Sequence, residues 1–324
     1  MIFGLIIAIG LLSLVLIKSA DMVIVAVRRL SRETHTSAFT ISAVILALGT
    51  SLPELFVGIT SALEGSPNLS FGVVLGSNIA NIALIGALTA FVVGGIAVNS
   101  GNLTKEVWIA FLAGILPVVL ASDKVLNRVD ALILISVYLG YATGFFRQRF
   151  HQIAKEQREE TSFVYRFFRR FSHVDFIKTK ELGRLFLGLA LLLASSDAIV
   201  KLSTLLATQA QVPVFLIGLF VIAVGTSLPE LAFSIRSMSE HEPSMFFGNL
   251  LGSTIANSTL IIGVTALIHP MKVIAFDEYL TAVIAFIAVF IAFWLFIKSR
   301  HRLERVEAGL LLLFYLGFVL AELL

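Results

Sequence analysis

Apolar residues run along this chain in long blocks, and the polar positions between them are short and clustered. Ten blocks stand out, at 2 to 25, 37 to 63, 70 to 95, 104 to 122, 128 to 147, 183 to 205, 213 to 238, 244 to 268, 278 to 297 and 303 to 323. Each approaches or exceeds the roughly 20 residues with which a helix crosses the hydrocarbon of a bilayer. Five blocks precede a basic linker at 148–182 and five follow it. The pattern predicts an all-α integral membrane protein of ten transmembrane helices, divided into a first five-helix unit (1–147), the linker (148–182) and a second five-helix unit (183–324).

One phrase occurs twice inside these blocks. Gly49-Thr50-Ser51-Leu52-Pro53-Glu54 returns unchanged as Gly225-Thr226-Ser227-Leu228-Pro229-Glu230, 176 residues on, and Gly76-Ser77 returns as Gly252-Ser253 at the same displacement. Ser19, Asp21, Ala47, Ser61, Pro67 and Ile79-Ala80-Asn81 match Ser195, Asp197, Ala223, Ser237, Pro243 and Ile255-Ala256-Asn257 in the same register. The two units are therefore read as internal repeats. Five is odd, so the second unit enters the membrane from the opposite side, and the expected architecture is two inverted-topology five-helix repeats.

Charge placement tests this independently. Arg28, Arg29, Arg32, Lys105, ten basic residues from Arg147 to Arg184, Arg236, Lys298, Arg300, Arg302 and Arg305 all fall on the linker's side of a ten-span layout. Only Lys124, Arg128, Lys201 and Lys272 fall on the other side, and Lys18 lies within the first block. Basic residues collect on the cytoplasmic side of membrane proteins. The linker is accordingly expected in the cytoplasm and both termini outside, in a cell (plasma or inner) membrane.

Composition agrees with a membrane chain. The sequence is 58% hydrophobic and 14% charged, with a mean hydropathy of +0.96, against about 25% charged residues in soluble domains. The first block lacks the basic start and small-residue cleavage site of a secretory signal and is read as a retained span. Cysteine is absent, which removes disulfides and thiolate metal sites. In the linker, Ser162-Phe163-Val164-Tyr165-Arg166-Phe167-Phe168-Arg169-Arg170-Phe171 interleaves aromatics with arginines, as suits a segment lying against anionic lipid. Nucleic-acid binding has no support beyond that linker.

The repeated phrase carries the chemistry. A proline inside a helix removes a donor and clashes with the preceding turn, so Pro53 and Pro229 should break or bend their helices and leave carbonyls near Ala47 and Ala223 in need of partners. Such backbone survives in a membrane only where protein or a polar cavity surrounds it. Glu54 and Glu230 follow the prolines, and a mid-membrane carboxylate ordinarily marks a site. Thr50, Ser51, Thr226 and Ser227 lie one turn earlier on the same face. Ser77 and Ser253 open a matching small-residue break, with Asn81 and Asn257 one turn further on. All are hard oxygen donors without His or Cys, a set suited to Ca²⁺ and Na⁺ and unsuited to zinc or copper. The plainer alternatives are carboxylates hydrogen-bonded to helix ends, and Ser, Thr and Asn serving as packing groups between helices. Asp21 and Asp197 have lysines at helical spacing, Lys18 and Lys201, and are read as ordinary ion pairs.

GTSLPE followed by GSNIAN, and GTSLPE followed by GSTIAN, resemble the two α-repeats of the sodium/calcium exchanger family within the cation/calcium exchanger superfamily. The resemblance covers both repeats and the ten-span layout. It implies that Glu54 and Glu230 are the central calcium carboxylates. Thr50, Ser51, Ser77, Thr226, Ser227 and Ser253, with the Ala47 and Ala223 carbonyls, would supply sodium and calcium oxygens. It also implies that the first and sixth spans slide as a pair to alternate access. One position departs from the pattern: relatives often carry aspartate where this chain has Asn257, and Thr254 stands where the first repeat has Asn78. The core thus holds two carboxylates, and stoichiometry, K⁺ dependence and proton coupling stay open.

The expected function is a secondary antiporter exchanging Na⁺ for Ca²⁺ at a midplane site, with Ca²⁺ and Na⁺ as transported ions and no cofactor. A Ca²⁺/H⁺ exchanger and a K⁺-dependent Na⁺/Ca²⁺ exchanger are alternatives on the same scaffold. A passive cation channel fits less well, because two opposed broken helices make one closed site. The chain lacks HExxH, GxSxG and P-loop motifs, which argues against an enzyme. Oligomeric state cannot be read from the sequence.

Overall fold

Prolines start helices here as well as interrupt them. Pro67 and Pro243 occupy the first turn of their helices, where a missing N–H costs nothing because that donor has no intrahelical acceptor. The computed structural model describes residues 2–31, 47–97, 103–156, 176–239, 241–272, 276–300 and 302–323. Within them the chain forms α1 (Ile2–Ser31), α2 (47–63), α3 (Pro67–Val93), α4 (Leu103–Leu120), α5 (Arg128–Glu156), α6 (Phe176–Ala210), α7 (Val214–Ser239), α8 (Pro243–Ile268), α9 (Phe276–Arg300) and α10 (Arg305–Leu323). Six of these are long and apolar enough to cross a membrane: α3, Leu103–Asp123 at α4, Phe186–Ala210 of α6, α7, α8 and Tyr279–Ser299 of α9. Each apolar block of the sequence has a helix at its place.

The helices are layered around α3 and α8. The most apolar stretch of α3 is 89% buried and that of α8 78%, against 33% at α4, so the two helices carrying Gly76-Ser77 and Gly252-Ser253 form the centre. Small residues let α3 press against α7. A Cβ at Gly72 would run into the carbonyl oxygen of Phe215, one at Gly76 into that of Leu219, and one at Gly218 into that of Leu69. Such close backbone approach replaces the hydrophobic drive that lipid removes between membrane helices. A second shell is aromatic, where Phe111 of α4 stacks on Phe286 of α9 at 6.2 Å and Trp108 meets Trp294 edge-on at 5.4 Å.

α1 and α6 pack against each other along their lengths, and α6 also lies on the second segment of α2. Ile9 and Leu16 of α1 share an apolar cluster with Leu192, Ile199 and Val200 of α6, with Leu52 and Phe56 of α2 packed against it.

Four two-residue strands tie the loops together. β1 (Ile96–Ala97), between α3 and α4, pairs antiparallel with β4 (Arg302–Leu303), between α9 and α10. β2 (Val125–Leu126), between α4 and α5, pairs with β3 (Met271–Lys272), between α8 and α9. Each pair joins a loop of the first unit to a loop of the second.

Two boundaries differ from the hydropathy reading. α5 continues to Glu156 and α6 begins at Phe176, so both ends of the expected 148–182 linker are helical. Hydropathy marks only the apolar part of a helix, and no Gly or Pro lies between 145 and 156 to stop α5. The linker's centre with its Phe/Arg run, the first ten residues of the 37–63 block and the side chain of Asp21 lie outside the described residues. Lys201 holds Asp197 at 3.0 Å, as the i,i+4 spacing predicts, and also reaches Glu64 at 3.8 Å.

Gly76→Ala is expected to destabilise the detergent-solubilised protein by about 1–3 kcal/mol, because its methyl must displace the α7 backbone. Gly10→Ala, whose methyl meets open space, serves as the control. Thermal unfolding of the two variants measures the difference.

Candidate functional site

The site begins with two bends of one shape. Pro53 and Pro229 cannot donate to the carbonyls of Gly49 and Gly225, four residues earlier. The helix gives way at Ser51 (φ −83°, ψ 7°) and Ser227 (φ −84°, ψ 3°), between the short segments Ala47–Thr50 and Ala223–Thr226 and the longer Leu52–Leu63 and Leu228–Ser239. Each interruption is a single residue in the bridge region. The carbonyls of Ala47 and Ala223 are not left bare. Ala47 accepts from Ser51 N at 3.0 Å and Thr50 Oγ1 at 3.2 Å. Ala223 accepts from Ser227 N at 3.1 Å and Thr226 Oγ1 at 3.3 Å, with Ser77 Oγ at 3.5 Å.

The second parts are softened helices in α3 and α8. Asn81–Gly86 and Ala256–Ile261 are wound as π-helix, an arrangement frequent at functional sites. Asn81 and Asn257 lie in these segments, one turn after Ser77 and Ser253.

The bends and the softened helices converge, and the two repeats exchange contacts. Ser77 donates to Glu54 Oε1 at 3.3 Å. Thr226 of the second repeat lies beside the Glu54 carboxylate, and Thr50 of the first lies beside that of Glu230. Thr50 Oγ1 also meets Ser253 Oγ at 3.3 Å and Asn249 Oδ1 at 3.2 Å. Glu54 and Glu230, one from each repeat, are thus both buried in this one cluster. Thr50, Ser51, Glu54, Ser77, Asn81, Thr226, Ser227, Glu230, Ser253 and Asn257 are all at most 1% exposed, as are Ala47 and Ala223. All twelve residues singled out from the sequence are buried, and most of the polar ones touch a neighbour from this set.

Three further residues belong to the cluster. Asn249 receives Thr50, and Asn78 links Ser258 at 2.7 Å to Asn257 at 3.2 Å. Repeat matching passes over them, because the equivalent positions hold Val73, Thr254 and Ile82. Their one signal was two asparagines and a serine in apolar sequence beside the Gly-Ser breaks.

What the cluster lacks is partners for its carboxylate and amide oxygens, while the Ser51 and Ser227 hydroxyls, which can donate as well as accept, are unpaired too. Ser51 Oγ, Glu54 Oε2, Asn81 Oδ1, Ser227 Oγ, both Glu230 oxygens and Asn257 Oδ1 are seven buried oxygens without a partner, against two unpaired amide nitrogens, on Asn81 and Asn249. Each orphaned polar atom costs about 1–3 kcal/mol, more when charged. A cation coordinated by oxygen relieves several of them at once, whereas water brings as many acceptors as donors. Among the described residues no third His, Cys, Asp or Glu joins the pair, so the fixed charge is at most that of two carboxylates.

The profile of the family described as sodium/calcium exchanger protein matches residues 4–147 and 180–324. The chain belongs to the sodium/calcium exchanger family. Within it, the putative antiporter CaxA of Alkalimonas amylolytica is 30% identical over 312 residues, covering 94% of this chain and 93% of the relative. The inner membrane protein YrbG of Escherichia coli is 30% identical over 265 residues, 80% and 78% of the two chains. The sodium/calcium exchanger MaX1 of Methanosarcina acetivorans is 26% identical over 334 residues, 94% of each. The exchanger fold is matched by a solved structure of the sodium-calcium exchanger NCX_Mj soaked with Na⁺ and Sr²⁺, at a TM-score of 0.66 over 98% of both chains with 24% identity. This exchanger-family chain is thus a multi-pass membrane transporter and not an enzyme, and the two stretches matched by the profile flank the linker.

Removing a buried, unpartnered carboxylate should relieve the ion-free core. Glu230→Gln is expected to unfold at a higher temperature than the unsubstituted protein in chelator-treated, Na⁺-free buffer, by on the order of 1 kcal/mol. An equal or lower melting temperature would show that the carboxylate pair is already satisfied by some other means.

Proposed function

We propose that this exchanger-family protein is an antiporter that exchanges Na⁺ for Ca²⁺ by alternating access, at a midplane site formed by Glu54 and Glu230. The observation that carries the reading is the exchange of contacts between repeats around an excess of buried oxygens. Thr50 lies beside Glu230 and Thr226 beside Glu54, with five carboxylate and amide oxygens and two serine hydroxyls unsatisfied. Two carboxylates balance one Ca²⁺, and hydroxyl, amide and carbonyl oxygens complete the six to eight ligands that calcium takes. In this reading Thr50, Ser51, Ser77, Asn81, Thr226, Ser227, Ser253 and Asn257 supply those oxygens. The Ala47 and Ala223 carbonyls contribute where an ion displaces the threonine hydroxyls that bond them in the ion-free structure. Na⁺ uses subsets of the same oxygens, so the two ions compete for one site.

The transmembrane layout proposed is ten spans in two inverted repeats, 1–147 and 183–324. The strand pairs support it. The loop after α3 corresponds by repeat to the loop after α8, and that after α4 to that after α9, so a pseudo-two-fold axis carries the pair β1·β4 onto β3·β2. In a ten-span chain β1 and β4 both lie on the linker's side and β2 and β3 both on the other. The basic residues favour a cytoplasmic linker, with the termini outside.

Alternating access draws support from an asymmetry. On α2 the face carrying Leu52, Phe56 and Thr60 is covered by α6, with Thr60 Oγ1 at 3.3 Å from Ser196 Oγ. Its repeat equivalents on α7, Leu228, Ala232 and Arg236, are exposed. Two halves of one design in unlike packing are expected of a carrier resting on one side of its cycle.

The test is Ca²⁺ uptake into proteoliposomes with the Na⁺, K⁺ and H⁺ gradients set independently. Outward-directed Na⁺ should drive uptake, and Glu54→Gln or Glu230→Gln should abolish it while the protein remains folded and inserted. Uptake driven by protons and indifferent to Na⁺ would replace this reading with Ca²⁺/H⁺ exchange, and unitary currents beyond transporter turnover would replace it with a channel. Asn257→Asp, which adds a third carboxylate, is expected to alter the Na⁺ and pH dependence of exchange more than the melting temperature; unchanged profiles would remove Asn257 from the site.

A further inference from the structure

The repeat symmetry fails at one polar contact in the core. Asn257 Nδ2 donates to Asn78 Oδ1 at 3.2 Å, and Asn78 Nδ2 donates to Ser258 Oγ at 2.7 Å. All three residues are at most 1% exposed. At the positions 176 residues away the first repeat has Ile82 in place of Ser258, and the second has Thr254 in place of Asn78. Asn81, the counterpart of Asn257, consequently has no such chain, and neither atom of its amide has a partner. Asn257 is half satisfied: its N–H is taken, and its Oδ1 is buried without a donor.

We propose that Asn78, backed by Ser258, is a positioning residue that orients the Asn257 amide so that its carbonyl oxygen is the atom offered to the transported cation. This rests on the reading of the cluster as a Ca²⁺ and Na⁺ site. The two ends of a primary amide are nearly identical in shape and opposite in polarity, so packing cannot choose between them and hydrogen-bond partners must. An amide that presents its NH₂ to a cation repels it. Asn78 Oδ1 only accepts, and in the observed arrangement it claims the N–H of Asn257 and leaves the oxygen available.

With an aspartate at 257 the brace would run in reverse. A serine hydroxyl both donates and accepts, so Ser258 can donate to Asn78 Oδ1 while Asn78 Nδ2 donates to residue 257. That arrangement satisfies an aspartate at 257, which has no donor of its own. The same two residues therefore support either a neutral or a charged oxygen ligand at this position. In this chain they hold the neutral one, which keeps two carboxylates against a divalent ion. Asn81 has no such brace, so the two asparagines of the repeated motif are not equivalent.

The experiment measures Ca²⁺ binding to the purified full-length protein in detergent, by calorimetric titration and by the Ca²⁺-dependent rise in melting temperature. The variants are Asn78→Leu, Ser258→Ala, Ser258→Thr, Asn257→Ala and the double Asn78→Leu/Asn257→Ala. Asn78→Leu should weaken Ca²⁺ about ten-fold, Ser258→Ala should weaken it less, and Ser258→Thr, which keeps the hydroxyl, should restore it. In the Asn257→Ala background Asn78→Leu should cost no further affinity, since it acts through residue 257. Equal losses in both backgrounds, or unchanged Ca²⁺ affinity in the Asn78→Leu and Ser258→Ala variants, would overturn the proposal. Unsubstituted protein that responds to neither Ca²⁺ nor Na⁺ would overturn the reading of the site itself, whereas a normal response that Asn78→Leu leaves intact overturns only the brace.

Discussion

The structure depends on one electrostatic constraint: two carboxyl groups sit within mutual influence at the centre of an apolar helix bundle, with too few donors around them. In water such a pair is trivial. In a bundle of low dielectric each unsatisfied acceptor is expensive and like charges repel strongly. The site is therefore a deficit of the kind that an oxygen-coordinated cation would relieve. A core with every carboxylate satisfied by arginine or backbone N–H groups would be more stable and would have no need of an ion. Here Ser77 donates to Glu54 at 3.3 Å, and beyond that each carboxylate has one threonine of the opposite repeat beside it, Thr226 at Glu54 and Thr50 at Glu230.

Holding that deficit in place requires rigid surroundings, and the packing of α3 explains how they arise. Gly72 and Gly76 bring α3 onto the α7 backbone. That contact puts Ser77 of the first repeat against the Ala223 carbonyl of the second. The prolines do a complementary job. Each introduces a one-residue bend, with helix hydrogen bonds resuming at once from Leu55 to Ser51 and from Leu231 to Ser227. The hydroxyls before the bend and the carboxylate after it then face one centre, and the helices need not unwind.

Much of this was legible in the sequence because the costly features are the visible ones. A Glu after Pro in an apolar run, repeated at a fixed displacement, has few physical explanations, and the two stretches matched to the family carry one copy each. The helix positions followed from block lengths. Three things did not follow. The helical ends of the linker are polar, so hydropathy stops before the helix does. The Ala47 and Ala223 carbonyls accept from their own turns because Thr50 and Thr226, read as ligands, are also local donors. Asn78, Asn249 and Ser258 escaped because repeat matching rewards identity, and these residues matter where the halves differ.

That difference bears on how one site handles two ions. A site with true two-fold symmetry would offer each half the same oxygens, and a small ion entering either half would find identical coordination. In this chain the first half of the motif is backed by Ser77 on Glu54, and the second by Thr50 joined to Ser253 and Asn249. One asparagine of the pair is braced and the other is not. The inverted repeat supplies two opposed carboxylates, which suit a divalent ion at the axis. The residues that break the repeat make the flanking oxygens unequal, and unequal flanks distinguish the sites available to monovalent ions. If the proposed exchange holds, symmetry and its local failure would serve different ions at the same centre.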